Sequence, residues 1–114
     1  MSASCIFCRI AAKEVASTIV LENDEVVAFR DLSPQAPSHI LVIPKRHVAS
    51  LDVMDPEDGA LLGTMMLAAR RVAAEAGLTK GYRIVTNCGP DAGQSVAHLH
   101  LHVLGGRPMA WPPG

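Results

Sequence analysis

Seven residues, His98-Leu99-His100-Leu101-His102-Val103-Leu104, narrow what this chain can fold into more than any other stretch. Three of the five histidines alternate there with aliphatic residues. On a β-strand successive side chains point to opposite faces, so the spacing predicts three imidazoles on one face and Leu99, Leu101 and Val103 on the other, facing a core. Imidazole can act as nucleophile, proton carrier, donor to phosphate or metal ligand near neutral pH. Three readings are open for the histidine face. It can be the wet side of a half-exposed sheet. It can hold a catalytic zinc with an open position. It can carry out phosphoryl or nucleotidyl transfer through a neutral histidine, with neighbouring imidazoles donating to the non-bridging oxygens. The preceding loop, Gly89-Pro90-Asp91-Ala92-Gly93-Gln94-Ser95, suits the third reading, because glycines permit close backbone approach and Ser95 brings a hydroxyl beside His100.

A chain of 114 residues predicts one domain spanning residues 1–114. An apolar fraction of 49% and a net charge of −1 argue against disorder and against electrostatic capture of nucleic acid. Neither a leader nor an apolar run of membrane-spanning length is visible, so the expected compartment is the cytoplasm, with no membrane partner. Three cysteines do not make a disulfide framework. Cys5-x-x-Cys8 instead suggests reduced thiols or half of a metal site, with His47, His98 or Cys88 as candidate partners.

Along the chain, residues 5–13 read as a short helix or turn. Two β-rich runs, 18–22 and 25–30, flank a turn at Asn23-Asp24. Prolines exclude regular structure from 33–37, and a buried strand at 39–43 is stopped by Pro44. Asp55-Pro56-Glu57-Asp58 signals a helix start. Leu62, Met65, Met66, Ala69, Val72, Ala73 and Ala76 continue at helical spacing until Gly77, with Gly59 and Gly63 placed for a close approach. A strand at 82–87, a loop at 88–94 and the histidine strand at 96–104 complete an α+β domain with a largely antiparallel sheet.

Gly93-Gln94-Ser95 followed by His98 to Arg107 resembles the signature of the histidine triad family. The ending Met109-Ala110-Trp111-Pro112-Pro113-Gly114 is similar to its nucleotide-binding, nucleoside phosphoramidase branch. Phe29-Arg30-Asp31-Leu32-Ser33-Pro34-Gln35-Ala36-Pro37-Ser38-His39 and Leu41-Val42-Ile43-Pro44-Lys45-Arg46-His47 match in order and spacing. The resemblance implies a five-stranded, mainly antiparallel sheet with one long and one short helix, dimerising into a continuous ten-stranded sheet, with a purine nucleotide site in each subunit. It further implies that His100 attacks the α-phosphorus of a phosphoramidate or related adenylyl conjugate and carries a covalent nucleotidyl intermediate. His102 would stabilise the phosphoryl oxygens, Ser95 would bond near the leaving atom, and the backbone of Gly93, Gln94 and Ser95 would hold the phosphate. Asp31 would accept from the ribose hydroxyls and Asn87 would contact the ribose-phosphate. Phe7, Ile10, Val15, Phe29 and Leu32 would line the base pocket, with His39 orienting the triad from behind. Read as residue types alone, Asp31 and Asn87 are turn formers and Ser95 a strand cap.

Some members of the wider superfamily hold a structural zinc, and by position its ligands here would be Cys5, Cys8, His47 and His98. Four protein ligands leave no open position, so such an ion stabilises and does not catalyse. The alternative is a pair of reduced, buried cysteines with His98 bonded inside the active site. Ala97 stands where the family often has a bulky aromatic, and Ala110 where it often has histidine, departures that bear on leaving-group preference. Beside the enzyme reading stand two others: a nucleotide-binding regulatory or scaffold protein, and a zinc-dependent hydrolase using the histidine cluster.

Overall fold

The computed structural model describes residues 4–114. Five strands form one antiparallel sheet: β1 (Ile19–Glu22), β2 (Val26–Arg30), β3 (Ser38–Pro44), β4 (Tyr82–Val85) and β5 (Leu101–Gly105). Their spatial order is β1-β2-β3-β5-β4. Asn23 makes the β1–β2 turn, its Oδ1 accepting from the N–H of Glu25 at 2.8 Å and of Val26 at 3.0 Å.

The two central strands are buried on both sides. Val26, Ala28, Ile40 and Val42 face the long helix α2 (Gly59–Glu75), meeting Met65, Ala69, Val72 and Ala73. Val27, Phe29, Leu41 and Ile43 face the opposite way, onto Phe7 and Ile10 of the short helix α1 (Ile6–Ala11). A strand covered on both faces needs apolar residues throughout, which is why 39–43 reads as an unbroken run. The Asp55 to Asp58 signal is a capping box on a 3-10 turn, Pro56–Asp58, and α2 proper begins at Gly59. Met65 is buried as expected, but Met66 is 43% exposed. Nothing approaches Gly59 or Gly63 within 4 Å of where a Cβ would lie, so the close approach expected there is not made within the described chain.

The histidine strand is shorter than its alternation predicts, starting at Leu101 and not at residue 96. The cause is the end of its partner. The β3–β5 pairing stops at Val42–Leu101, and Pro44 has no N–H to extend it. The backbone groups of residues 98–100 are satisfied elsewhere: Leu99 N–H donates to Val48 O at 2.6 Å, His98 O accepts from the His100 ring, and His100 O accepts from Thr86 Oγ1. The strand expected at 82–87 ends at Val85, paired with His102, and the Thr86 hydroxyl is turned to the His100 carbonyl. The two-sided alternation survives outside the ladder, with Leu99, Leu101 and Val103 in the core facing α2.

Candidate active site and metal centre

Backbone groups, whose donor or acceptor character is fixed, decide which nitrogen of each imidazole carries the proton. His100 Nδ1 lies 2.7 Å from the His98 carbonyl, so Nδ1 is the N–H donor and Nε2 keeps its lone pair. The Gln35 N–H donates to His39 Nδ1 at 3.1 Å, which places the His39 proton on Nε2. That Nε2–H donates to His102 Nδ1 at 2.8 Å and leaves His102 with a donor at its own Nε2. One ring is thus prepared as a nucleophile and its neighbour as a hydrogen-bond donor, with ring centroids 4.9 Å apart. His100 is held from below by the edge-to-face contact of Phe7 at 5.1 Å.

Both rings open into a cleft of about 240 Å³. Of the residues singled out in the sequence, Phe7, Ile10, Val15, Phe29, Asp31, Leu32, Ser95, His100 and His102 line it. Leu32 stands at the rim, 93% exposed. Leu41, Val96 and Ile6 join the lining without having been anticipated, since core-type residues carry no local sign that they face a cleft. Asp31 makes the turn its residue type suggests, Oδ1 accepting from the Ser33 N–H at 2.7 Å, while Oδ2 faces His39 Nε2 at 3.6 Å.

Three of the expected contacts do not reach this cleft. Asn87, Gly93 and Gln94 are not among its lining residues. The Gly93 and Gln94 N–H groups, expected at the phosphate, donate to the carbonyls of Pro90 and Gly89, and the Gln94 side chain staples the loop, its Nε2 donating to the carbonyls of Ala49 and Val96 and its Oε1 accepting from Gly89 N–H. His39 is buried behind the cleft, reaching it through His102 and Asp31. Thr86 was missed, because a threonine near a strand end gives no sign that its hydroxyl will hold the His100 carbonyl.

Burial, reinforced by repulsion from His100 and His39, lowers His102 to about 4, with Asp31 acting in the opposite sense. Burial likewise lowers His39 from the ordinary imidazole range, opposed by Asp31. An unfolded histidine titrates near ~6.5, so between that value and about 4 the unfolded chain binds more protons than the folded one. Stability present above pH ~6.5 is therefore lost progressively as pH falls toward 4. Thermal melts at a series of pH values are expected to show this decline, and a shallower one in His102→Asn. A melting temperature indifferent to pH across that window would contradict a neutral His102.

The second cluster joins Cys5, Cys8, His47 and His98, whose ligand atoms lie within 4.8 Å of one another. Cys5 caps α1 and Cys8 lies in its first turn, so one helix start presents both sulfurs. His98 Nε2 donates to the Pro44 carbonyl at 2.9 Å, which leaves the Nδ1 lone pair pointing at them. Sulfur-to-nitrogen separations are 3.2–3.5 Å and the His47 to His98 Nδ1 separation is 3.2 Å. A tetrahedral zinc with ordinary Zn–S and Zn–N bonds has N–N and S–N edges of roughly 3.3–3.6 Å and an S–S edge of about 3.8 Å, so the donor set fits the ion in chemistry, and its S–N and N–N separations fit in size. Burial lowers His98, with the Pro44 carbonyl opposing, which favours the neutral imidazole that a metal would need.

Asp31, His39 and His102 form a similar-looking group. It is a poor ligand set, because His39 Nε2 carries a proton and the His102 Nδ1 lone pair already accepts it.

The HIT domain family matches residues 12–109 of the chain. The 14 kDa zinc-binding protein of Zea mays is 49% identical over 111 residues, covering 96% of this chain and 87% of that one. Adenylylsulfatase HINT1 of Arabidopsis thaliana is 48% identical over 111 residues, covering 96% and 76%. A HIT family hydrolase of Legionella pneumophila superposes with a TM-score of 0.95 at 46% identity, covering 97% of this chain and all of the other. Cys5 and Cys8 lie outside the family match, so their part in a metal site rests on the geometry.

Proposed function

The chain belongs to the HIT domain family, and from that premise we propose that it hydrolyses purine nucleoside 5′-phosphoramidates or related adenylyl conjugates through a covalent intermediate on His100. The observation that carries this reading is the pairing of an unprotonated His100 Nε2 with the His102 Nε2–H donor in one cleft. His100 Nε2 attacks the α-phosphorus as the bond to the leaving nitrogen breaks. That nitrogen keeps the bonding pair and takes a proton from water by way of the Ser95 hydroxyl. Water then attacks phosphorus, gives its proton to solvent, and returns His100 to its neutral form with mononucleotide released. His102 donates to the non-bridging oxygens in both steps, where a fixed donor in a buried site is most effective. Asp31 holds the ribose, and Phe7, Ile10, Val15, Phe29 and Leu41 surround the base.

An adenylylsulfatase among the relatives supports an adenylyl group as the transferred unit. The Cys5, Cys8, His47, His98 set holds a structural zinc in this reading, and zinc-binding is the printed character of another relative. The unpaired edge of β4, with Tyr82 41% exposed, is the place where a second copy would extend the sheet to ten strands. No helix of the described residues is long and apolar enough to cross a membrane. Rapid quenching of the protein with a purine phosphoramidate, followed by peptide mass spectrometry, is expected to find the nucleotidyl mass on His100. A protein that turns over substrate while never carrying that mass does not use this mechanism.

A further inference from the structure

Beyond its last rung, Ser38 opposite Gly105, the β3–β5 ladder gives way to contacts of another kind. Pro37 has no N–H with which to extend the pairing. Gly106 lies against it instead: a Cβ there would sit 2.9 Å from the Pro37 Cβ, and its φ of +93° is one that glycine adopts freely. One residue on, Arg107 Nη2 donates to the Gln35 carbonyl at 2.9 Å. Its other arm, Nη1, is braced on the Pro108 carbonyl at 3.1 Å and the Met109 sulfur at 3.4 Å. Resting on the reading of the cleft given above, we infer that Arg107 is a positioning residue for the triad. It clamps the residue whose N–H sets the direction of the His39 to His102 hydrogen bond.

The chain of bonds runs from Gln35 N–H to His39 Nδ1 at 3.1 Å, and from His39 Nε2–H to His102 Nδ1 at 2.8 Å. A neutral imidazole that accepts at one nitrogen donates at the other, so each ring passes the direction on. Without the Gln35 N–H, His39 Nδ1 is free to carry the proton. His39 Nε2 then becomes an acceptor, and His102 must donate to it from Nδ1. His102 Nε2 is left facing the phosphate with a lone pair, where it repels the oxygens it should stabilise. Asp31 Oδ2 favours the native direction, but at 3.6 Å from His39 Nε2 it lies beyond hydrogen-bond range. Gln35 sits between Pro34 and Pro37 in the β2–β3 connection, where neither proline can donate a bond to hold the loop. The planar two-armed guanidinium suits the clamp, because one arm fixes the other. Arg107 lines no part of the nucleotide cleft, so its influence on substrate runs through this chain.

Arg107→Met keeps the apolar stem and removes both donors, and because Arg107 is exposed the core is left intact. On adenosine 5′-phosphoramidate this variant is expected to lower kcat about tenfold with KM within about twofold of wild type, a loss confined to the transition state. Arg107→Lys, which keeps a charged donor without the fork, should return kcat to within about threefold of wild type. A purely structural role would not move the histidine nitrogen spectrum. Long-range proton–nitrogen spectra of ¹⁵N-histidine protein at mildly alkaline pH should show wild-type His39 with Nε2 protonated and Nδ1 accepting. In Arg107→Met the two His39 nitrogen shifts should move toward each other as the tautomers mix. A folded Arg107→Met with kcat within about twofold of wild type, or with a KM that rises as far as kcat falls, overturns the inference. So does a fall in kcat that leaves the His39 shifts in place. A wild type inactive on the phosphoramidate removes the hydrolase reading alone, and the nitrogen shifts then still decide whether Arg107 fixes the tautomer.

Discussion

His100→Ala is expected to lower kcat by at least about 10⁴-fold while leaving purine mononucleotide binding within a few-fold of wild type. Removing a covalent nucleophile is among the largest single effects available to an enzyme, reaching about 10⁶ where it has been separated from binding. Other nucleophiles are ill placed to substitute: the Cys8 sulfur is turned toward His47 and His98, and the His102 Nδ1 lone pair is committed to His39. Binding should survive because the cleft residues proposed to hold base and ribose, Phe7, Ile10, Phe29 and Asp31, are untouched. His102→Asn, which removes a transition-state donor and leaves the nucleophile, should cost less, on the order of 10²-fold in kcat. The comparison is made with a continuous assay for released amine and a separate titration with mononucleotide. Hydrolysis by His100→Ala within tenfold of wild type would end the covalent mechanism. Loss of binding equal to the loss of turnover would show instead that the substitution had collapsed the cleft, where the His100 ring packs on Phe7.

How much of this was readable before any coordinates depends on which atoms carry it. Side-chain alternation was enough to separate Leu99, Leu101 and Val103 from the three histidines, because that division is a property of the chain itself. The point at which β5 stops being a strand was not readable, since it depends on where β3 ends and on Val48 taking the Leu99 N–H. Roles for Asp31 and Ser95 came from family resemblance, and the cleft does contain both. The proton positions were invisible for a different reason. They are set by the Gln35 N–H and the carbonyls of His98 and Pro44, and every residue has such groups, so no residue type announces them. The three imidazoles that look equivalent in the sequence are made unequal by those backbone atoms, and the proposed roles of nucleophile, donor and ligand rest on that difference. Gln94 shows the converse: its place in a motif points its backbone at the phosphate, while its N–H donates to the Gly89 carbonyl and its side-chain amide holds the loop.

Zinc removal is the second large expected effect, and it should appear in stability before it appears in catalysis. The purified protein is expected to carry one zinc per chain by elemental analysis. Stripping it with a strong chelator should lower the melting temperature by roughly 15 °C. That figure follows from about 4 kcal/mol of linkage at free zinc near a thousand times its Kd, at ~4 °C per kcal/mol for a domain of this size. The loss falls on the joint between α1 and the approach to β5, because Cys5 caps the helix, Cys8 lies within it, and His98 lies just ahead of the strand. His98 is also the residue whose carbonyl holds the His100 Nδ1 proton, so a loosened His98 weakens the nucleophile's tautomer without removing any group that touches substrate. At temperatures well below the lowered melting point, turnover should therefore stay within about tenfold of the zinc-loaded protein, since the chemistry draws on His100, His102 and Ser95. Cys8→Ser should reproduce the loss of stability and of bound zinc together. Reversible loss of all activity on chelation with an unchanged melting temperature would instead mean that the ion takes part in the reaction. A protein without zinc whose melting temperature does not respond to added zinc would mean that the four ligand atoms pack together as thiols and imidazoles alone.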